Sequence, residues 1–203
     1  MIAHALTIVI HELNAHLQSY GAGDPSNRAR LGNLSEGITP NGISRDMLVL
    51  SVVNIKEERT LKNLPNYVRD DVQLKVRYEN PPVFINFQIL VTATHEIYTN
   101  ALLILSRGIR FFQFKNVFTQ DNVSPAALSE TMPTNSRDEL ASFKLIFDLY
   151  SPTMEEVNHL WGTLGGKQYP FALYTLRMLD LKFRAVQSES GLITEIASDF
   201  YHK

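Results

Sequence analysis

The segment VFINFQILVTAT at residues 83–94 alternates apolar and polar side chains, and this alternation limits what the chain can fold into. The apolar side chains at positions 83, 85, 87, 89 and 91 point to one face of a strand, whereas Asn86, Gln88 and Thr92 point to the other. Such a strand requires a second layer that packs against its apolar face. The segment therefore predicts a sheet strand with one face in a hydrophobic core.

Other stretches of the sequence also predict strands. Residues 46–55 are rich in valine and isoleucine, which is typical of a strand interior to a sheet. Residues 141–150 and 170–186 alternate, and a short strand is expected at 30–34. Residues 56–71 are polar and show no clean period, so no element is predicted there.

Three segments predict helices. Residues 2–19 place apolar side chains at spacings of three and four, which is one face of a helix. Residues 97–114 are apolar on nearly all sides, so a largely buried helix is expected, with Gly108 allowing close packing. A third helix is expected over residues 152–164. Thr153 or Ser151 can cap its start, and the glycines at 165 and 166 end it.

This order of elements predicts an α+β fold with a mixed or antiparallel β-sheet flanked by helices. Residues 1–186 are expected to form one domain, and 187–203 a C-terminal arm able to add a strand to a neighbouring sheet. Residues 20–45 and 116–137 are long polar loops, which are uncommon in compact domains unless a partner orders them.

The sequence shows few residues in patterns typical of catalytic, metal-binding or nucleic-acid-binding sites. It contains no cysteine, which removes disulfides and thiolate sites, and its six histidines do not have metal-ligand spacing. The net charge is -2, so no basic field attracts nucleic acid. No apolar run is long enough to span a membrane. No catalytic residue, cofactor or metal is therefore predicted, and no nucleic-acid partner or direct membrane insertion is expected.

Three blocks of sequence carry a family resemblance. They are LVLSVVNIKEERTLKN at 48–63, NPPVFINFQILVTAT with YTNALLILSRGIRFFQFKNVFT within 80–119, and MEEVNHLWGTLGGKQYPFALYTLRML at 154–179. Together with the N-terminal helix they resemble the tube-cap or tail-terminator proteins of extracellular contractile injection systems, such as antifeeding prophages and Photorhabdus virulence cassettes. The resemblance covers most of the chain.

The resemblance implies a tail-terminator-like fold and a structural role without catalysis or cofactor. It implies a homo-hexameric ring that closes the distal end of the inner tube and anchors the terminal sheath layer, with the tube and sheath proteins as partners. Such a particle is assembled in the bacterial cytoplasm and is then extracellular after release, or cell-anchored.

Charged residues beside the predicted strands are the candidates for partner contacts. They are Arg28, Arg30, Glu57, Glu58, Arg59, Lys62, Lys182 and Arg184. The group from 57 to 62 is expected to form ion pairs between ring subunits, although a solvated loop is the competing interpretation. An alternative function is a carbohydrate- or peptide-binding module that uses the aromatic residues Tyr67, Tyr78 and Tyr98. A third alternative, an enzyme, requires a cluster of carboxylates or histidines that the sequence does not reveal.

Overall fold

The structure is a computed structural model, which describes residues 1–21, 27–38, 43–61, 65–70, 72–140, 142–181 and 188–191. The helices are α1 Ile2–Gln18, α2 Tyr98–Phe114, α3 Pro125–Glu130 and α4 Met154–Thr163. The strands are β1 Ala29–Leu31, β2 Leu48–Glu57, β3 Tyr67–Asp70, β4 Lys75–Tyr78, β5 Val83–Ala93, β6 Val117–Thr119, β7 Lys144–Tyr150, β8 Phe171–Leu181 and β9 Ser188–Gly191. The expected α+β class is confirmed.

Six strands form one mixed sheet in the order β1-β2-β5-β8-β7-β6. Strand β1 runs parallel to β2, while β2 and β5 form an antiparallel ladder from Leu48–Ala93 to Glu57–Ile85. Strand β7 is antiparallel to both β6 and β8. The predicted strand at 46–55 therefore lies inside the sheet, as expected from its apolar composition.

Helices cover both faces of this sheet. A Cβ added to Gly108 of α2 would lie 2.9 Å from a side-chain methyl carbon of Leu48, so α2 packs directly on β2. Trp161 of α4 clusters with Val49, Leu90 and Leu173. Consecutive residues of a strand point to opposite faces, and Leu48 and Val49 therefore place α2 and α4 on opposite sides.

The prediction that only one face of β5 is buried is wrong for the second half of the strand. Its last five residues, from Ile89 to Ala93, are all buried, including Leu90 and Thr92. The physical reason is the second helical layer, because α4 covers the face opposite to α1 and α2. The first half, from Val83 to Asn86, is exposed or half-buried.

The expectation of a largely buried α2 is also wrong. One side of the helix packs into the core through Ile104, Phe111 and Phe112, and the Phe112 ring stacks on Phe147 of β7 at 4.7 Å. The other side leaves large apolar side chains in solvent: Tyr98 is 66% exposed, Leu102 45%, Leu103 50% and Phe114 83%. An apolar sequence on all sides did not mean burial on all sides.

The segments predicted as featureless contain short elements. Residues 116–137 hold β6, α3 and the start of a 3-10 helix at Ser136–Asp138, and the N-cap Ser124 accepts a hydrogen bond from the Ala127 N–H. In the segment 56–71, predicted without an element, β2 ends at Glu57 and a 3-10 helix at Arg59–Leu61 and β3 follow.

Glu58–Phe84 and the described part of Asp180–Lys203 belong to a second compact unit, in which β3, β4 and β9 form a three-stranded antiparallel sheet. Within the segment predicted as a C-terminal arm, Ser188–Gly191 form β9, which pairs with β4 of the same chain. Residues 192–203 of the predicted arm lie outside the described residues, and the proposed boundary at 187 stays a prediction.

Candidate protein-binding surfaces

Arg28 and Arg30 lie together at the edge strand β1. Both side chains are exposed, and the Arg30 guanidinium donates a hydrogen bond of 3.2 Å to the Ser44 hydroxyl. The backbone beside them is fixed, because the Leu48 N–H donates to the Arg28 carbonyl and the Asn14 carboxamide pairs with both the N–H and the C=O of Ala29, at 2.7 and 2.9 Å. The two arginines therefore project from a rigid strand.

The second predicted group follows the end of β2. Glu57 and Arg59 are exposed, whereas Glu58 is half-buried and its carboxylate accepts from the N–H and the hydroxyl of Thr60, at 3.2 and 2.6 Å. Glu58 therefore holds the 3-10 helix that contains Arg59. Three further candidates, Lys62, Lys182 and Arg184, lie outside the described residues.

A recess of about 290 Å³ lies between α4 and the sheet. On its floor the Asn54 amide nitrogen donates to the Gln88 side-chain oxygen at 3.0 Å, and these residues are direct partners in the β2–β5 ladder. A bulge between Val52 and Asn54 precedes this pair. The remaining lining is mixed: Val53, Tyr150, Pro152, Glu156, His159, Leu160, Thr163 and Leu173.

One wall of the recess is held by the N-cap of α4. The Thr153 hydroxyl accepts from the Glu156 N–H, and the Glu156 carboxylate accepts from the Thr153 N–H at 2.8 Å, which is a capping box. The same carboxylate accepts from the Tyr150 hydroxyl at 2.8 Å. The backbone hydrogen bond from Thr153, followed by that from Tyr150, lowers the pKa of Glu156, so this wall carries a fixed negative charge.

The three-stranded sheet of the second unit exposes apolar side chains. Tyr67 and Tyr78 face each other across β3 and β4, and they are 50% and 38% exposed. In the turn, Val72 is 94% exposed and Leu74 53%, and Leu74 has a positive φ of 50°. Of the aromatic residues in the alternative hypothesis, the structure thus pairs Tyr67 with Tyr78, whereas Tyr98 belongs to α2.

Metal-binding groups and membrane spans were both sought in the described ranges. These ranges hold no group of three or more histidine, cysteine or acidic side chains that could bind a metal ion. No helix among them is long and apolar enough to cross a membrane.

The family model of the Pvc16 N-terminal domain matches residues 5–195. The chain belongs to this family. The resemblance found in the sequence to cap and terminator proteins is thereby confirmed, and no curated protein matches the chain.

Solved structures agree with the fold of this chain. It is similar to the sheath/tube terminator of the PVC extracellular contractile injection system in its extended state, with 14% identity and a TM-score of 0.60. It is also similar to the tube-terminating cap of the anti-feeding prophage, with 13% identity and a TM-score of 0.52. These matches cover 97% and 95% of the chain but 63% and 60% of the two solved chains. The tail-terminator-like fold is confirmed.

The recess is not predicted from the sequence, although the sequence contains a signal for it. Asn86, Gln88 and Thr92 were recognised as the polar face of β5, but their partners on β2 were unknown. Only the register brings Asn54 opposite Gln88, across 34 residues of chain.

Proposed function

We propose that this chain is a structural, non-enzymatic cap of a contractile injection particle. The observation that carries the proposal is the match of nearly the whole chain, 97%, to a sheath/tube terminator, together with its family. The chain would end the inner tube and hold the last sheath layer. In this role it is assembled in the bacterial cytoplasm and becomes part of a released or cell-anchored particle.

A terminator has to match a polymer on one side and offer no matching surface on the other. We propose a closed homo-hexamer in which neighbouring subunits contact heterologously. Arg28, Arg30 and the segments 20–45 and 116–137 are proposed to supply ring and tube contacts, because the two arginines are exposed on a fixed strand. Backbone pairing at β1 is restricted by Asn14, which leaves side chains to form the contact there.

Glu57, Glu58 and Arg59 are proposed to form ion pairs between ring subunits. Glu57 and Arg59 are exposed, and each exposed pair contributes about 0–1 kcal/mol. The single reversals Glu57→Lys and Arg59→Glu are each expected to weaken ring formation at low salt, whereas the double reversal, which restores opposite charges across the seam, is expected to recover it. Unchanged ring formation in both single variants contradicts this role.

The cap role is tested by electron microscopy of particles from cells that lack the gene, with the gene restored on a plasmid as the control. Uncapped tubes of scattered length, with sheath missing or already contracted, are expected. Sheathed particles of uniform length without the gene exclude the cap role.

Residues after β9 are proposed to bind the sheath. Because Ser188–Gly191 pair with β4, the informative deletion removes only residues 192–203 and leaves the three-stranded sheet complete. Tubes of normal length that have lost their sheath are expected from this variant. Retention of the sheath shows that the arm is not the sheath contact.

A further inference from the structure

The recess beneath α4 presents a paired hydrogen-bonding surface. In the Asn54–Gln88 hydrogen bond, Asn54 uses one N–H and Gln88 uses its oxygen. The side-chain inventory then leaves an oxygen on Asn54 as an acceptor and an N–H on Gln88 as a donor. Turning both amides over exchanges these roles and still leaves one donor and one acceptor side by side.

A donor beside an acceptor complements a residue in extended conformation. The chain contains such a match already, because the Asn14 carboxamide meets the N–H and the C=O of the single residue Ala29 in β1, at 2.7 and 2.9 Å. A segment lying over Asn54 and Gln88 can make the same two hydrogen bonds with its main chain. Main-chain bonds combined with a side-chain pocket are a common way of binding extended peptides.

The walls of the recess accommodate a side chain of that segment. Val53, Leu160 and Leu173 provide apolar surface, and Tyr150 is held in place by its hydrogen bond to Glu156. A volume of about 290 Å³ is at the lower limit of ligand pockets, which suits one side chain and its flanking peptide groups. The fixed carboxylate of Glu156 disfavours an acidic side chain there.

We propose that this recess binds an extended, non-acidic segment of a neighbouring protein in the particle, through the main chain of one apolar residue on Asn54 and Gln88. The inference rests on the proposed cap function only for the origin of the segment. Binding by the recess itself can be measured on the isolated full chain, whereas the cap function is measured by tube length. Failure of one is therefore distinguishable from failure of the other.

The test is a titration followed by NMR of the side-chain amides of the chain labelled with ¹⁵N asparagine and glutamine. The probe is acetyl-Ala-Leu-Ala-methylamide, and its analogue has an ester oxygen in place of the leucine N–H. The signals of Asn54 and Gln88 are expected to shift with the peptide. The ester is expected to bind roughly 3- to 10-fold more weakly, because it lacks one hydrogen-bond donor.

Variants separate the recess from the rest of the surface. Asn54→Ala and Gln88→Ala are expected to weaken peptide binding by a similar factor, and Asn158→Ala, on α4 outside the recess, is the matched control. His159→Trp fills the recess from an exposed position without disturbing the core and is expected to abolish binding. Equal affinity for peptide and ester, or binding that survives His159→Trp, overturns the proposal. Shifts caused by cellobiose or propionamide as large as those with the peptide overturn it as well, in favour of a sugar or a side-chain carboxamide.

Discussion

Replacing Glu12 by leucine is expected to destabilise the protein through the partner that it leaves behind. Glu12 of α1 accepts hydrogen bonds from the Lys115 ammonium at 2.7 Å and from the Ser124 N–H at 2.8 Å. Lys115 also donates to the Asn122 carbonyl at 2.7 Å. The network thus joins α1 to the end of α2 and to the start of α3.

The magnitude follows from burial. The Lys115 and Glu12 side chains are only 19% and 12% exposed. The variant therefore leaves the nearly buried Lys115 ammonium without its carboxylate partner. Breaking a fully buried pair costs about 3–5 kcal/mol, and the residual exposure reduces the expected loss to about 2–3 kcal/mol. For a chain of this size that loss lowers the melting temperature by roughly 4–12 °C.

Urea unfolding followed by the fluorescence of Trp161, the single tryptophan, measures this loss. In a double-mutant cycle, adding Lys115→Met to Glu12→Leu should recover part of the stability, because no unpaired charge remains. Glu12→Leu with unchanged unfolding free energy, or a double variant that equals the sum of the single losses, refutes the reasoning.

The same pair predicts a pH dependence. Burial alone would raise the pKa of Glu12, but the hydrogen bonds from Lys115 and Ser124 outweigh it and lower the pKa below 4.5. The contribution of Glu12 is therefore complete above about pH 4.5 and is lost as the pH falls through the lowered pKa. The difference between the parent protein and Glu12→Leu should shrink in acid, and a constant difference contradicts this assignment.

Three further variants probe other contacts. Asn14→Ala removes the carboxamide on Ala29, so the free energy of unfolding should fall by about 1–3 kcal/mol in urea titrations, and no change would show that solvent replaces it. Gly108→Leu places side-chain atoms against β2, where even a Cβ would lie 2.9 Å from a methyl group. This overpacking should lower the free energy of unfolding by about 1–3 kcal/mol. Equal melting temperatures of the variant and the parent protein refute the close approach. Burial, followed by the terminal amino group, lowers the pKa of His4 below 6.5. The contribution of His4 to stability is therefore complete above pH 6.5, and the free energy of unfolding declines as the pH falls. His4→Leu should flatten this decline, and an unaltered slope of stability against pH refutes it.

The sequence predicts elements correctly where a burial pattern or capping residues mark them. The strands at 83–93 and 144–150 and the helix after Thr153 were predicted because alternation or capping residues mark them. The exposed side of α2 was not predictable, because its leucines and Phe114 are as apolar as those in the core. Strands β3 and β4 are four residues each and lie on a mostly solvated sheet, so they lack a clear alternation.

The surfaces were less predictable than the fold. Arg28 and Arg30 were identified from charge alone, and both side chains are exposed, while their contact role stays a prediction. The recess depends on pairing between β2 and β5 and on α4, which are distant in the chain. Side chains such as Asn54 gain a role only through that long-range register.

The end of the β2–β5 ladder has a consequence for how chains of this type can diversify. The ladder closes at the partners Glu57 and Ile85, and the Glu58 N–H donates to the Phe84 carbonyl at 2.8 Å. A tight turn is geometrically sufficient to join two antiparallel strands at such a point. The stretch Glu58–Phe84 can therefore differ in length or sequence between such chains while every pair of the β2–β5 ladder is kept, as long as β4 retains its pairing with β9.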